Sequence, residues 1–255
     1  MRPLPRRTRA FAAAALVVSA GAAALVLADA LPLGDDGPSA DRASARVHSA
    51  GADRSADGDR LRSASGERAG SERSVGPRIR WRDSVAIGVP EAGSLERGVQ
   101  LPAAGRTYFT WDPILKRRPN RDWRRWGTDE LVRTTLRVLR TFAERSPAAP
   151  RVGVGDLSLP YGGDFGPEVS GGIGHATHQN GLDVDLYYPR LDRAERAPTS
   201  VDQIDRRLSQ ALVDLFVGAG ATVIYVGPST GLGGPTEIVQ PLVNHDNHLH
   251  ARIDG

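Results

Sequence analysis

Five of the six histidines in this 255-residue chain fall in two short segments that also carry aspartates. The first segment runs Gly174-His175-Ala176-Thr177-His178-Gln179-Asn180-Gly181-Leu182-Asp183-Val184-Asp185-Leu186-Tyr187-Tyr188. Within it Leu182, Val184 and Leu186 alternate with Asp183, Asp185 and Tyr187, the period of a strand with one apolar and one acidic face. His178 precedes that strand in a turn-like stretch, and Gly181 lets the chain bend so that the imidazole swings back toward Asp185. The second segment is His245-Asp246-Asn247-His248-Leu249-His250-Ala251-Arg252-Ile253. Leu249, Ala251 and Ile253 alternate there with His248, His250 and Arg252, which puts two imidazoles on one strand face. Two neutral imidazoles and one carboxylate, with a fourth position open, make the ligand set of a catalytic zinc site. The chain has no cysteine with which to build a closed thiolate site.

The spacing His178-x6-Asp185, followed downstream by His248-x-His250, resembles the lysostaphin, D-Ala-D-Ala metallopeptidase and hedgehog superfamily. The longer strings GHATHQNGLDVD and HDNHLH are similar in particular to the penicillin-insensitive murein endopeptidases, and the likeness extends over roughly the last two thirds of the chain. This resemblance implies one zinc ion per chain held by His178, Asp185 and His250, with His248 as the catalytic histidine. It makes His175 and His245 pocket histidines, His245 being the next catalytic candidate. D-Ala-D-Ala carboxypeptidases and dipeptidases of the superfamily usually carry Glu where Asn247 stands and tend to carry Ala where Asp183 stands. Both departures favour the endopeptidase branch. Asp183, on the face of Asp185, is then placed to accept a proton from a ligand imidazole. The implied reaction is hydrolysis of a peptide cross-link of peptidoglycan, at a D-alanyl bond to a diamino acid. The alternatives are a zinc carboxypeptidase or amidase acting on another wall bond, and a metal-binding wall module without turnover.

The elements that must position these residues are legible as a pattern. Thr128 caps a helix from Asp129 to about Arg145, with acidic residues in its first turn and Pro147 beyond. Leu131, Thr135, Leu136, Val138, Leu139 and Phe142 form its buried stripe. Tyr108 to Trp111 reads as a short strand and Arg151 to Leu159 as a longer one, with Val152, Val154 and Leu157 its apolar members. The latter ends in Asp156-x-Ser158 and a glycine-rich loop from Tyr161 to Gly166. A G-D-x-S string before such a loop recurs in the murein endopeptidase pattern, which makes Asp156 and Ser158 pocket candidates. Ser200 with Gln203 reads as a capping box for a helix from Val201 to Val217, lined by Leu208, Ala211, Leu212, Leu215 and Phe216 and ended by Gly218 and Gly220. Thr222 to Val226 is a β-branched strand, and the loop Gly227 to Pro235 is expected to wall the cleft. Trp111, Trp123 and Trp126 are expected in the core, with one of them a candidate for lining a groove. Short strands alternating with two helices predict an α+β domain, mainly antiparallel sheet, flanked by helices and carrying the zinc site on one face.

Composition sets the remaining bounds. With 40% hydrophobic and 25% charged residues there is room for one globular domain plus appendages. Arg2, Arg6, Arg7 and Arg9 precede an uncharged run from Ala10 to Ala28, the layout of an export signal, with Ala28-Asp29-Ala30 as a cleavage site. The run also approaches the length that spans a bilayer, so residues 1–31 read as a signal peptide or a membrane anchor, with everything after them outside the cytoplasm. Residues 32–78 are Ser, Ala, Gly, Asp and Arg with almost no branched aliphatics, a composition too poor in apolar surface to fold. They read as a flexible linker to a metallopeptidase domain at 79–255. The net charge of +3 and pI near 9.7 come largely from arginine, and a solvated basic tail accounts for them. No nucleic-acid module is present, and the expected partner is the peptide stem of peptidoglycan. The lack of cysteine excludes disulfides and a lipid anchor on cysteine.

Overall fold

The computed structural model describes residues 78–254. The expected export segment, and all but the last residue of the expected linker, lie outside the described residues. Among those residues no helix is long and apolar enough to cross a membrane.

The strands are short, as the alternation predicts. β1 (Val85–Val89) and β2 (Ala92–Glu96) form an antiparallel hairpin. β3 (Val99–Gln100) precedes β4 (Tyr108–Thr110), and β5 (Trp126–Gly127) returns to pair antiparallel with β3. After helix α1 (Asp129–Arg145) come β6 (Val152–Val154), the single-turn α2 (Pro167–Ser170) and β7 (Asp183–Tyr187). Helix α3 (Arg206–Gly218) then leads to β8 (Ala221–Val226), β9 (Val239–Pro241) and β10 (His248–Ile253). Six of these strands form the main sheet in the order β4-β6-β7-β10-β8-β9. Its three inner pairs are antiparallel, while β4 with β6 and β8 with β9 are parallel. The molecule is therefore α+β with a mainly antiparallel sheet, as expected, and with parallel pairs at both edges.

Register decides which side chains meet. His250 lies opposite Asp185, Arg252 opposite Asp183 and His248 opposite Tyr187. Directly opposed residues of an antiparallel pair share a face, so these six project together. The other face carries Val184, Leu186, Leu249, Ala251 and Ile253, which pack in one core with Leu131, Leu139 and Phe142 of α1 and Leu212 and Phe216 of α3. Helices thus seal the apolar face and leave the polar face for chemistry.

α1 has the expected bounds. The Thr128 hydroxyl accepts a hydrogen bond from the Leu131 N–H at 3.1 Å, replacing a partner that the first helical turn lacks. Val132 and Thr134 join its buried stripe, and Leu136 is only partly buried. α3 differs from expectation. A 3-10 turn occupies Val201–Gln203, Ile204 is extended at φ −83° and ψ 138°, and the helix begins at Arg206. The break arises because Ile204 turns into the core and bridges to Arg190. Asp205 becomes the cap, accepting from the Leu208 N–H at 3.0 Å. The Gln203 side-chain oxygen instead accepts from the Thr199 N–H at 2.9 Å. The strand expected over Arg151 to Leu159 is laddered only at Val152–Val154. Beyond it the Leu157 and Ser158 N–H groups donate to Arg124 and Trp126 carbonyls, so this stretch leaves the main sheet for the β5 segment.

Candidate metal centre

The loop that leads into β7 is shaped by two left-handed residues, His178 at φ +67° and Gly181 at φ +78°. At Gly181 the bend also requires the absence of a side chain, since a Cβ there would meet Leu95 at 2.9 Å and the Thr128 nitrogen at 3.1 Å. The His178 N–H donates to Asp183 Oδ2 at 2.9 Å, which ties the loop back onto the strand. Its ring Nδ1 faces the Leu157 carbonyl, which can only accept, so Nδ1 carries the proton and Nε2 is bare.

The bare Nε2 of His178 lies 3.3 Å from Asp185 Oδ1 and 3.1 Å from His250 Nδ1, and His250 Nδ1 lies 3.2 Å from the same carboxylate oxygen. The far nitrogen of His250, Nε2, is 3.1 Å from Asp183 Oδ1. Burial opposes the charge on Asp183, but hydrogen bonds from His250 and Arg252 hold its carboxyl well below the usual range. An ionised Asp183 accepts, so His250 donates from Nε2 and turns its Nδ1 lone pair toward His178 and Asp185. Asp185 Oδ1 is buried without a hydrogen-bond partner. Burial also disfavours the charged form of Asp185, but the surrounding His178, His175 and His248 outweigh it and hold the carboxyl far below its ordinary value. Two imidazole lone pairs and a carboxylate oxygen thus converge on one point, where each repels the others unless a positive charge sits among them. The same demand raises His250 to about 9, burial being outweighed by Asp183 and Asp185. The donor set therefore fits a divalent cation.

His175 stands on the cavity side of this cluster, its ring 4.2 Å from that of His178 between centroids and its Nε2 3.7 Å from Asp185 Oδ2. His175, His178 and Asp185 form a group that could hold a metal ion, with one donor atom from each within 4.8 Å of the others. The Nε2 of His175 is also 2.8 Å from Asp156 Oδ2. Asp156 is buried and accepts from Arg124 Nε at 2.7 Å, Arg124 Nη2 at 2.5 Å and Asn120 Nδ2 at 2.9 Å. Burial would raise its pKa, and Arg124 and His175 bring it down to about 2. Arg124 and Asn120 carry no mark in the sequence, because the first sits in a run of arginines that reads as surface charge. Ser158, expected at the pocket, is buried away from it with its hydroxyl unpaired.

His248 Nε2 lies 3.9 Å from Asp185 Oδ1, and its Nδ1 lies 2.6 Å from Asn247 Oδ1. Burial lowers His248 to about 4 despite the pull of Asp185, so its imidazole is neutral at neutral pH. His245 stacks 4.7 Å from His248 between ring centroids, with Nδ1 2.9 Å from the Val243 carbonyl.

A cavity of about 650 Å³ opens on this cluster, and Asp156, His175, Asp185, Tyr187 and His248 lie along its wall. Its outer walls come from Trp111 to Lys116, from Arg190 to Gln203 and from the turn at Asn244 to Asn247. The loop Gly227 to Pro235 does not line it, contrary to expectation. Gly227 packs so closely behind that turn that a Cβ would meet Asp246 Oδ1 at 2.2 Å, and the Ser229 N–H donates to the same oxygen at 3.0 Å. The loop supports the wall from outside. None of Trp111, Trp123 and Trp126 is fully buried, also contrary to expectation, and Trp111 lines the cavity. Trp123 is covered instead by the Arg121 guanidinium, 4.6 Å from its ring centroid.

Among curated proteins none matches the chain. The family model described as penicillin-insensitive murein endopeptidase matches residues 86–216, just over half of the sequence. The match takes in the loop of His175 and His178 and the strand of Asp183 and Asp185, and it ends before β10. By that match the chain belongs to the penicillin-insensitive murein endopeptidase family, peptidases that act on the peptidoglycan of the cell wall.

Proposed function

We propose that this protein is a zinc-dependent endopeptidase that hydrolyses peptide cross-links of peptidoglycan at a D-alanyl bond to a diamino acid. The reading rests above all on the three bare donors of His178, Asp185 and His250, which meet at 3.1–3.3 Å beside an open cavity. These residues would hold one zinc ion per chain. The chemistry such an ion would supply there is Lewis-acid polarisation of the scissile carbonyl and a lowered pKa for water, to about 7. The remaining work falls to side chains of this chain. His248, neutral and with Nε2 3.9 Å from Asp185 Oδ1, takes the proton of the attacking water and returns it to the leaving amine. Asp183 fixes the tautomer of His250, and the Leu157 carbonyl fixes that of His178. His175 and His245 border the reacting position and orient the substrate carbonyl or the water. The N-terminal basic and apolar segment would export the protein, which places the site where its substrate is.

A second ligand set, His175 with His178 and Asp185, is favoured by the proximity of those donors. The engagement of His175 Nε2 by Asp156 argues for His250 instead. Metal analysis of the purified full-length protein separates the two. His178→Ala, Asp185→Ala and His250→Ala are each expected to abolish zinc occupancy, and His175→Ala to retain it. Full zinc in the His250 variant with loss in the His175 variant would select the second set. Incubating the zinc-loaded protein with intact cross-linked muropeptides and resolving products by mass tests the reaction. Release of terminal D-alanine, or of stems from glycan, would point instead to a carboxypeptidase or an amidase, and bound zinc without products to a non-catalytic module.

A further inference from the structure

The cavity wall carries three cations, Lys116, Arg190 and Arg196, facing the aspartates Asp156 and Asp185. Which of these charges remain available to a ligand follows from their partners. Asp156 is neutralised by the bidentate Arg124, and Asp185 belongs to the proposed metal site. Arg190 is committed to Asp192, with contacts of 2.8 and 2.5 Å, and to Gln203. Since Asp192 is filled by Arg190, Arg196 retains only a contact of 3.5 Å to it and stays largely exposed. Among the described residues Lys116 takes part in no ion pair.

The position of Lys116 is also built. Its backbone is left-handed, at φ +49°, a conformation that a lysine adopts at a cost and that tends to mark a functional turn. Asp112 holds the turn around it. Its N–H donates to the Arg117 carbonyl at 2.9 Å, while its Oδ1 accepts from the Ile114 and Leu115 N–H groups at 2.9 and 2.8 Å. Its Oδ2 accepts from Arg121 Nε at 2.6 Å. A buried aspartate with four contacts thus presents one unpaired ammonium to the cavity.

We propose that Lys116 and Arg196 form a carboxylate-reading subsite of the same cavity, which selects cross-links whose amine-side residue bears a free carboxylate. This rests on the function proposed above. In a diamino acid that is cross-linked through the amine of its second amino-acid centre, the carbon bearing the scissile nitrogen carries a carboxyl group. That group is either ionised or capped as an amide. Two available cations and no available anion favour the ionised form, and an amide forfeits the charge-assisted hydrogen bonds.

The test uses the full-length protein and two synthetic peptide dimers joined by a D-alanyl to meso-diaminopimelate bond. In one dimer the carboxyl beside the scissile nitrogen is free, and in the other it is a primary amide. Turnover and equilibrium binding are measured for both. The free acid is expected to have the higher kcat/KM and the lower Kd, by about ten- to a hundredfold, the range of charge-assisted hydrogen bonds. The double variant Lys116→Asn, Arg196→Gln is expected to bring both ratios close to one. Asn is chosen because it tolerates the left-handed backbone. Lys116→Glu with Arg196→Glu is expected to invert the preference. Equal binding of the two dimers by the wild-type protein, or a double variant that keeps the wild-type preference, would overturn the subsite. A binding preference without cleavage of either dimer would leave the subsite standing and overturn the proposed reaction.

Discussion

His248 and His250 illustrate how two identical side chains two residues apart acquire different chemistry. His250 faces Asp183 and Asp185, and burial notwithstanding it is raised to about 9, whereas His248 meets the Asn247 amide and is lowered by burial to about 4. One environment favours positive charge and the other a neutral imidazole, the form that the proposed proton acceptor requires. His248→Ala is accordingly expected to keep the metal and the fold while cutting turnover by roughly 10²–10⁴-fold, the size of a general acid–base contribution. Loss of zinc from that variant would exchange the roles of the two histidines. Unchanged turnover with zinc retained would move the base to His245, whose ring lies next to it. The strand alternation made these histidines and Asp185 legible, because period two assigns faces without knowledge of the fold. It could not reveal Arg124, whose partner Asp156 is 32 positions away.

At the level of elements, local signals succeeded where the chain is governed by its own first turn and failed where a distant contact prevails. Thr128 caps α1 as predicted, since nothing competes with the Leu131 N–H for its hydroxyl. Ser200 and Gln203 fit a capping box equally well, yet burying Ile204 bends the chain there and moves the cap to Asp205. Asp205→Ala is therefore expected to destabilise the protein by about 1 kcal/mol, the usual cost of losing a cap. Ser200→Ala is expected to fall within about 0.5 kcal/mol of the parent, since Ser200 makes no side-chain cap bond. Urea midpoints of the two variants check this, and the opposite ranking would restore the capping box. The loop Gly227 to Pro235 was misplaced for a similar reason. Glycine and proline announce a loop, but only its packing behind Asp246 assigns its side.

At the scale of the whole molecule, the candidate site lies within the described residues 78–254, and the composition of residues 32–78 offers almost nothing to bury. If residues 79–255 form a self-sufficient metallopeptidase domain, a chain starting at Ile79 is expected to match the rate of the longer soluble form on small muropeptides. If residues 32–78 act as a flexible tether, the longer form is expected to be the faster of the two on intact sacculi. A large loss of rate on the small substrates, or of the far-UV signal, would show that part of the preceding stretch belongs to the fold. The α+β class was foreseeable from alternation, and the gathering of five histidines with Asp183 and Asp185 from their clustering in the sequence. The parallel edge pairs were not, because pairing partners are chosen by packing across the whole sheet.

The position of β10 has a consequence for any chain that stops short of it. Of the described strands it is the last in the chain, yet it lies between β7 and β8 in the sheet. No other strand joins β4-β6-β7 to β8-β9, and β10 also brings His248 and His250 to His178 and Asp185. A chain that stops before β10 therefore contains every other strand of the main sheet, and on the proposed ligand set it is expected to hold no zinc and to cleave nothing. On the proposed ligand set, the metal centre is completed only when β10 takes its place between β7 and β8.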